Sequence, residues 1–165
     1  MAVPAANSSL SRPIEALVNT LADSATFRSL VGAVDADGAK TKIFYPAVDD
    51  SLDSSDNLIN GRPRAIINPP TSWMKSRLGG DYQCVGNVWL SFEIDPIGDT
   101  FEEQAMNLCN TLGAIIDEMW DLAESRSGPY LNIVEIALAD GPGPNTPEND
   151  RGESFQGAIY SIGWQ

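Results

Sequence analysis

Apolar and polar positions alternate along Val88-Trp-Leu-Ser-Phe-Glu-Ile94, with Val88, Leu90, Phe92 and Ile94 on one side and Trp89, Ser91 and Glu93 on the other. A period of two predicts a strand with one buried face, opening near Val85. Past Asp95-Pro96-Ile97-Gly98 the period lengthens. Phe101, Ala105, Leu108, Leu112, Ile115, Ile116, Met119, Leu122 and Ala123 recur every three or four residues, which predicts a helix over about 99–124 with an apolar stripe down one side. Asp99 or Thr100 is placed to cap it, and Glu102 and Glu103 fall in the first turn, where the helix dipole favours negative charge. Ser127-Gly128-Pro129 predicts its end, and Leu131, Ile133, Val134, Ile136 and Leu138 open another strand that runs to Ala139. This strand–helix–strand unit is the expected scaffold on which the remaining elements dock.

Upstream, residues 1–10 are small and polar and predict a flexible N-terminal tail. Ser11-Arg12-Pro13 is a helix start, because Pro is favoured in a first turn and Ser just before it. Ile14, Leu17, Val18 and Leu21 share a face of an N-terminal helix over about 13–31. Asp23-Ser24 either breaks it or caps a short continuation through Phe27, Leu30 and Val31, which Gly32 ends. Asp35-Ala-Asp-Gly38 reads as a turn. Short strands are predicted at Lys42–Tyr45 and Arg64–Asn68, with an acidic exposed loop from Asp49 to Asn57 between them. Thr71–Gly80 carries Trp73 and Met74 without a core period, as a lid or a contact surface would. Residues 140–153, with Pro142, Pro144 and Pro147, predict a long loop, and Phe155–Trp164 alternates again as the strand that closes the hairpin. The fold class expected is α+β: a domain over 11–165 with a single, mostly antiparallel sheet of about four or five strands, the long helix across one face and the N-terminal helix nearby.

Composition narrows the chemistry. The 165 residues are 42% hydrophobic and carry a net charge of −13, so a core is affordable while wrapping a phosphate backbone is disfavoured. Such a surface still lets nucleic acid slide past. No stretch reaches the roughly 18 to 20 apolar residues of a membrane span, and Met1–Leu10 has neither the basic nor the apolar region of a signal peptide. A soluble protein made in a reducing cytoplasm, with no membrane partner, is expected. Cys84 and Cys109 read as small buried hydrophobes.

The chain has no histidine, which removes Ser-His-Asp and Cys-His catalysis and most zinc sites. Gly38-Ala-Lys-Thr41 lacks the upstream glycine and strand of a phosphate loop, and Gly141-Pro-Gly143 leads into a loop, not a helix. Asp49, Asp50, Asp53 and Asp56 offer oxygen ligands to a hard cation, yet their spacing is not that of an EF-hand and a solvated acidic loop is the plainer reading. Asp117, Glu118 and Asp121 likewise read as an exposed helix face. No catalytic, cofactor-binding or metal residue is assigned. Trp89, on the polar side of its strand, needs cover from the N-terminal helix or from a neighbouring subunit.

The order of elements resembles the tail terminator (tail completion) proteins of long-tailed bacteriophages. The resemblance runs from about residue 11 to 165. It rests on the N-terminal amphipathic helix, Pro63-Arg-Ala-Ile-Ile67, the Gly79-Gly80 turn and Val88-Trp-Leu-Ser-Phe-Glu-Ile94. The Ala105–Glu118 helix and a hairpin ending Ala158-Ile-Tyr-Ser-Ile-Gly-Trp164 complete it. It implies a non-catalytic virion protein, assembled in the host bacterial cytoplasm. Such proteins form a homo-oligomeric ring, usually hexameric, that caps the major tail tube protein and joins it to the neck or head-completion protein. Genomic DNA would pass through the lumen without specific binding, and no cofactor is implied. Contacts to the next subunit, tube or neck are expected at Trp73, Met74, Lys75, Arg77, Trp89, Asp140, Pro142, Pro144 and Arg151. The alternatives are another neck or head-completion protein, a monomeric ligand- or peptide-binding module, and a metal-dependent enzyme built on the 49–56 aspartates.

Overall fold

The computed structural model of the chain describes residues 11–45, 54, 61–68, 73–78, 81–95, 97–125, 135–145 and 154–164. Among them, the elements in chain order are α1 (Ser11–Asp23), α2 (Ala25–Val31), α3 (Ala36–Lys40), β1 (Ile43–Phe44), β2 (Arg64–Asn68), β3 (Trp73–Leu78), β4 (Asp81–Ile94), α4 (Phe101–Glu124), β5 (Glu135–Asn145) and β6 (Ser154–Trp164). The chain is α+β.

The N-terminal helix is two helices, split at Ser24. The Ser24 hydroxyl accepts from the Phe27 amide at 3.0 Å, capping α2, and Gly32, at φ 69°, ends it in the left-handed conformation. Asp35-Ala-Asp-Gly38 is not a simple turn. Asp35 caps α3 by accepting from the Gly38 amide at 2.7 Å, so the local carboxylate that suits a turn here starts a short helix. At α4, Thr100 is the cap: its hydroxyl accepts from the Glu103 amide while Glu103 accepts from the Thr100 amide, a reciprocal capping box.

Among the described residues the sheet has more strands than the four or five expected, and one of its pairs is parallel. Its six strands run in the order β1-β2-β4-β6-β5, with β3 pairing β4 outside that path. β1 is parallel to β2, so the sheet is mixed. β4 is longer than its apolar alternation: residues 81–86 pair with β3, and residues 89–93 pair with β2 on the same edge. The 71–80 segment therefore contains a strand where the sequence shows no core period. The 140–153 loop is also shorter than read. Residues 140–145 belong to β5, and 146–153 lie outside the described residues. Pro142 and Pro144 fit a strand here because β5 ends the strand order, where a missing amide costs no ladder bond, and because the register shifts between Leu138 and Asp140 and again before Gly143.

The core lies between the helices and one face of the sheet. Ala65, Ile67, Val88, Leu90, Phe92 and Ile94 meet Leu17, Leu21 and Phe27 and the α4 stripe of Leu108, Leu112, Ile115, Met119 and Ala123. Phe27 meets Phe92 edge-on, centroids 6.1 Å apart. Four stripe positions, Phe101, Ala105, Ile116 and Leu122, fall outside this core. Phe101 is 56% exposed, because the first turn overhangs the sheet, and Ile116 packs only partly against the cluster.

Candidate interaction surface

The long helix α4 is apolar over more of its girth than the sheet covers. At 3.6 residues per turn, the buried stripe continues into Met106, Cys109, Gly113, Ile116 and Trp120, so the apolar arc spans roughly 180° of the helix. Met106 is 62% exposed and Trp120 38% exposed, and Cys109 is also exposed. The expectation of a buried Cys109 fails for this reason: it stands on the flank beside the stripe, not in it. From Met106 to Trp120 the ribbon is about 21 Å long. Trp120 Nε1 donates to Glu124 Oε1 at 3.1 Å, which ties the indole along the helix surface. Gly113 leaves a shallow point in the ribbon, since a Cβ there would meet nothing within 4 Å. Glu102, Asp117 and Glu124 are exposed along this flank, and α4 contains no Lys or Arg.

The opposite flank of α4 is occupied by α2, and one carboxylate organises the contact. Glu118 Oε2 accepts from the Ser24 hydroxyl at 2.6 Å and from the Thr26 amide at 3.0 Å, and Oε1 accepts from the Thr26 hydroxyl at 2.6 Å. Burial alone would raise the Glu118 pKa, but the Ser24 and Thr26 hydroxyls and the Thr26 and Ala25 amides together hold it below the ordinary carboxylate value. Glu118 is therefore not part of a free acidic face, whereas Asp117 and Asp121 are exposed as expected.

A second polar cluster sits on the sheet face away from the core. Arg64 is nearly buried and its Nε donates to Glu93 Oε2 at 2.6 Å, across the register pair Arg64↔Glu93. Arg62 Nε is 3.7 Å from the same oxygen, too long for a hydrogen bond, and Arg62 Nη1 is 3.8 Å from Asp95. Nearby in sequence to β1, Tyr45 has its hydroxyl pKa raised, first by burial and then by the Glu15 carboxylate.

The residues expected to make contacts fall in three places. Trp73, Met74, Lys75 and Arg77 lie on β3, where Met74 registers with Val85 and Lys75 with Cys84. Trp89 registers between Asn68 of β2 and Tyr160 of β6, so it sits within the sheet and not at its margin. Asp140, Pro142 and Pro144 lie along β5, far from β3 in the strand order. Arg151 and the Asp49, Asp50, Asp53 and Asp56 cluster lie outside the described residues. The flank of α4 was missed. Its signal was present in sequence as an apolar arc wider than the roughly 100° that docking on a sheet requires.

Among the described residues no group of three or more Cys, Asp or Glu is arranged to hold a metal ion, and no helix is long and apolar enough to cross a membrane. A shallow, open groove of about 380 Å³ runs between α2 and α4, lined by Ala25, Thr26, Ser29, Leu30 and Thr111. No family description and no curated protein matches the chain.

Proposed function

We propose that this chain is a structural virion protein, a ring-forming tail terminator that caps the tail tube and joins it to the neck. The observation that carries the reading is the order of elements. A helical N-terminal segment, the short β2 strand, the β4 strand, the 24-residue α4 and a closing β5–β6 pair follow one another in the order on which the resemblance rests. The chain's net charge of −13 supports it as well, because an acidic lumen wall would repel a passing genome instead of holding it. In this reading the mixed sheet and α4 form a rigid wall. The protein performs no catalysis, and its work is done by surfaces: one towards the next subunit, one towards the tube, one towards the neck.

The test is reconstitution. Purified chain is mixed with terminated and unterminated tail tubes of a phage that encodes it, and tube ends are counted by negative-stain microscopy. Capping of open ends by a closed ring, with a fixed stoichiometry by light scattering, is the expected result. A chain that never associates with tube ends or with neck components sinks the proposal.

A further inference from the structure

We propose that α2 is a releasable strap: it lifts from α4 and melts as a unit, between hinges at Ser24 and Gly32, while α1, α4 and the sheet stay folded. The proposal does not depend on the virion reading.

The path of the chain provides the hinges. Ser24 is extended (φ −61°, ψ 123°) and Gly32 is left-handed (φ 69°), so the backbone already leaves the helical conformation at both ends of α2. A Cβ at Gly32 would meet nothing within 4 Å, and Val34 just beyond is 97% exposed, so the second hinge has room to turn. Seven residues are too few to hold a helix in water without a surface to lie on. Release and melting are therefore one event.

Little holds α2 down. Phe27, edge-on to Phe92, is its one buried side chain, and Ala25 and Ser29 are exposed. By contrast, α1 buries Ala16, Leu17, Val18, Thr20, Leu21 and Ala22, and α4 buries five of its residues. Opening α2 uncovers one aromatic ring, whereas opening either longer helix would uncover a whole core face. Local opening follows such differences in buried contact.

The contact with α4 is a latch at one end. Glu118 takes the Ser24 and Thr26 hydroxyls and the Thr26 amide, and water can replace those bonds once the strap lifts and Ser24 is no longer covered. Alongside, the two helices stand apart around the open groove lined by Ala25, Thr26, Ser29, Leu30 and Thr111, so no interlocked ridge resists their separation. Lifting α2 would bare the socket of Phe27 and the α2-facing side of α4 without breaking a hydrogen bond of the sheet.

Native-state hydrogen exchange of the intact chain, at neutral pH and in urea below the unfolding transition, tests this. The Arg28 and Ala33 amides donate to the Ser24 and Arg28 carbonyls, and they bracket the helix amides of α2. These should be protected about a hundredfold less than the amides of residues 112–119 in α4. Their exchange should also depend little on urea, because the opening exposes little surface. Glu118→Gln should lower α2 protection about tenfold, since the latch is made in the closed state and lost in the open one. Asp117→Asn, at the next and exposed position, should change it by less than about twofold. Equal protection and equal urea slopes in α2 and α4 would overturn the proposal, because α2 would then open only when the whole chain unfolds. So would an α2 protection that Glu118→Gln leaves unchanged, or that Asp117→Asn lowers as much.

Discussion

Removing the Glu118 carboxylate should loosen α2 from α4 and weaken the fold in a pH-dependent way. In Glu118→Ala the Ser24 hydroxyl, 1% exposed, loses its acceptor. A buried donor left unsatisfied costs about 1–3 kcal/mol. The Thr26 amide and hydroxyl lose theirs too, but at a half-buried position where water can replace the carboxylate, so their share is small. Loss of a negative charge at the N-terminus of α2 adds about 0.3–1 kcal/mol. The total expected is about 2–3 kcal/mol, and about half of that in Glu118→Gln, which keeps an acceptor but not the charge. Urea unfolding at several pH values measures it. The folded pKa of Glu118 lies below its unfolded value of about 4.5, so the unfolded chain binds the proton first on acidification. The stabilisation is therefore complete above that value and is lost as the pH falls through the folded pKa. The gap between wild type and Glu118→Gln should be constant near neutrality and close as the medium becomes acidic. A loss under about 0.5 kcal/mol in Glu118→Ala, or a gap that does not narrow in acid, would refute the assignment.

Five further substitutions test the packing by thermal or urea unfolding. Ile115→Ala, at a fully buried position, should cost about 2–5 kcal/mol, while its neighbour Ile116→Ala, on the half-covered flank, should cost about 1–2 kcal/mol; equal losses would mean the helix is rotated from the placement described. Gly98→Ala should destabilise by about 1–3 kcal/mol, because φ is 131° and an added Cβ would lie 2.8 Å from the Glu103 Cβ in the capping box; a neutral result would show that this turn relaxes freely. Arg64→Ala should cost about 3 kcal/mol by leaving Glu93 without its 2.6 Å partner, whereas Asp37→Asn, which breaks the exposed 3.5 Å pair with Lys40, should change stability by less than about 0.5 kcal/mol.

How much of this was readable beforehand depends on the range of the interaction that decides each feature. The α4 boundaries and its Thr100–Glu103 cap lie within a few residues of one another, and the sequence pattern located them within two residues of the observed start. The same is true of β2 and of the break at Ser24. Glu118 is different. Its partners are 92 and 94 positions away, so nothing next to it distinguishes it from Asp117 or Asp121. The side of α4 on which Cys109 stands depends on how the helix lies over the sheet, which a stripe of apolar residues defines only to within a turn of the wheel. β3 gave no signal because Trp73-Met-Lys-Ser-Arg-Leu78 does not alternate apolar with polar residues. Residues 140–145 were hidden because proline and glycine spell a loop unless the strand is known to lie at the margin of a sheet.

β4 has a consequence for how the chain reaches its folded state. Three partners, β2, β3 and β6, pair with it, and the first two fill one of its edges early in the chain. The other edge waits for residues 155–164, which follow α4 and β5 in the order of synthesis. While the ribosome is still adding those residues, Val88, Leu90, Phe92 and Ile94 can be roofed by α1, α2 and α4, but the backbone amides and carbonyls along the far side of β4 have no mate. The nascent molecule is thus a half-laddered intermediate with an adhesive margin, and only arrival of the β5–β6 hairpin seals it. Yield of the protein in cells should then depend on how quickly that hairpin closes, and a pause in translation after α4 would be the most damaging place to stall.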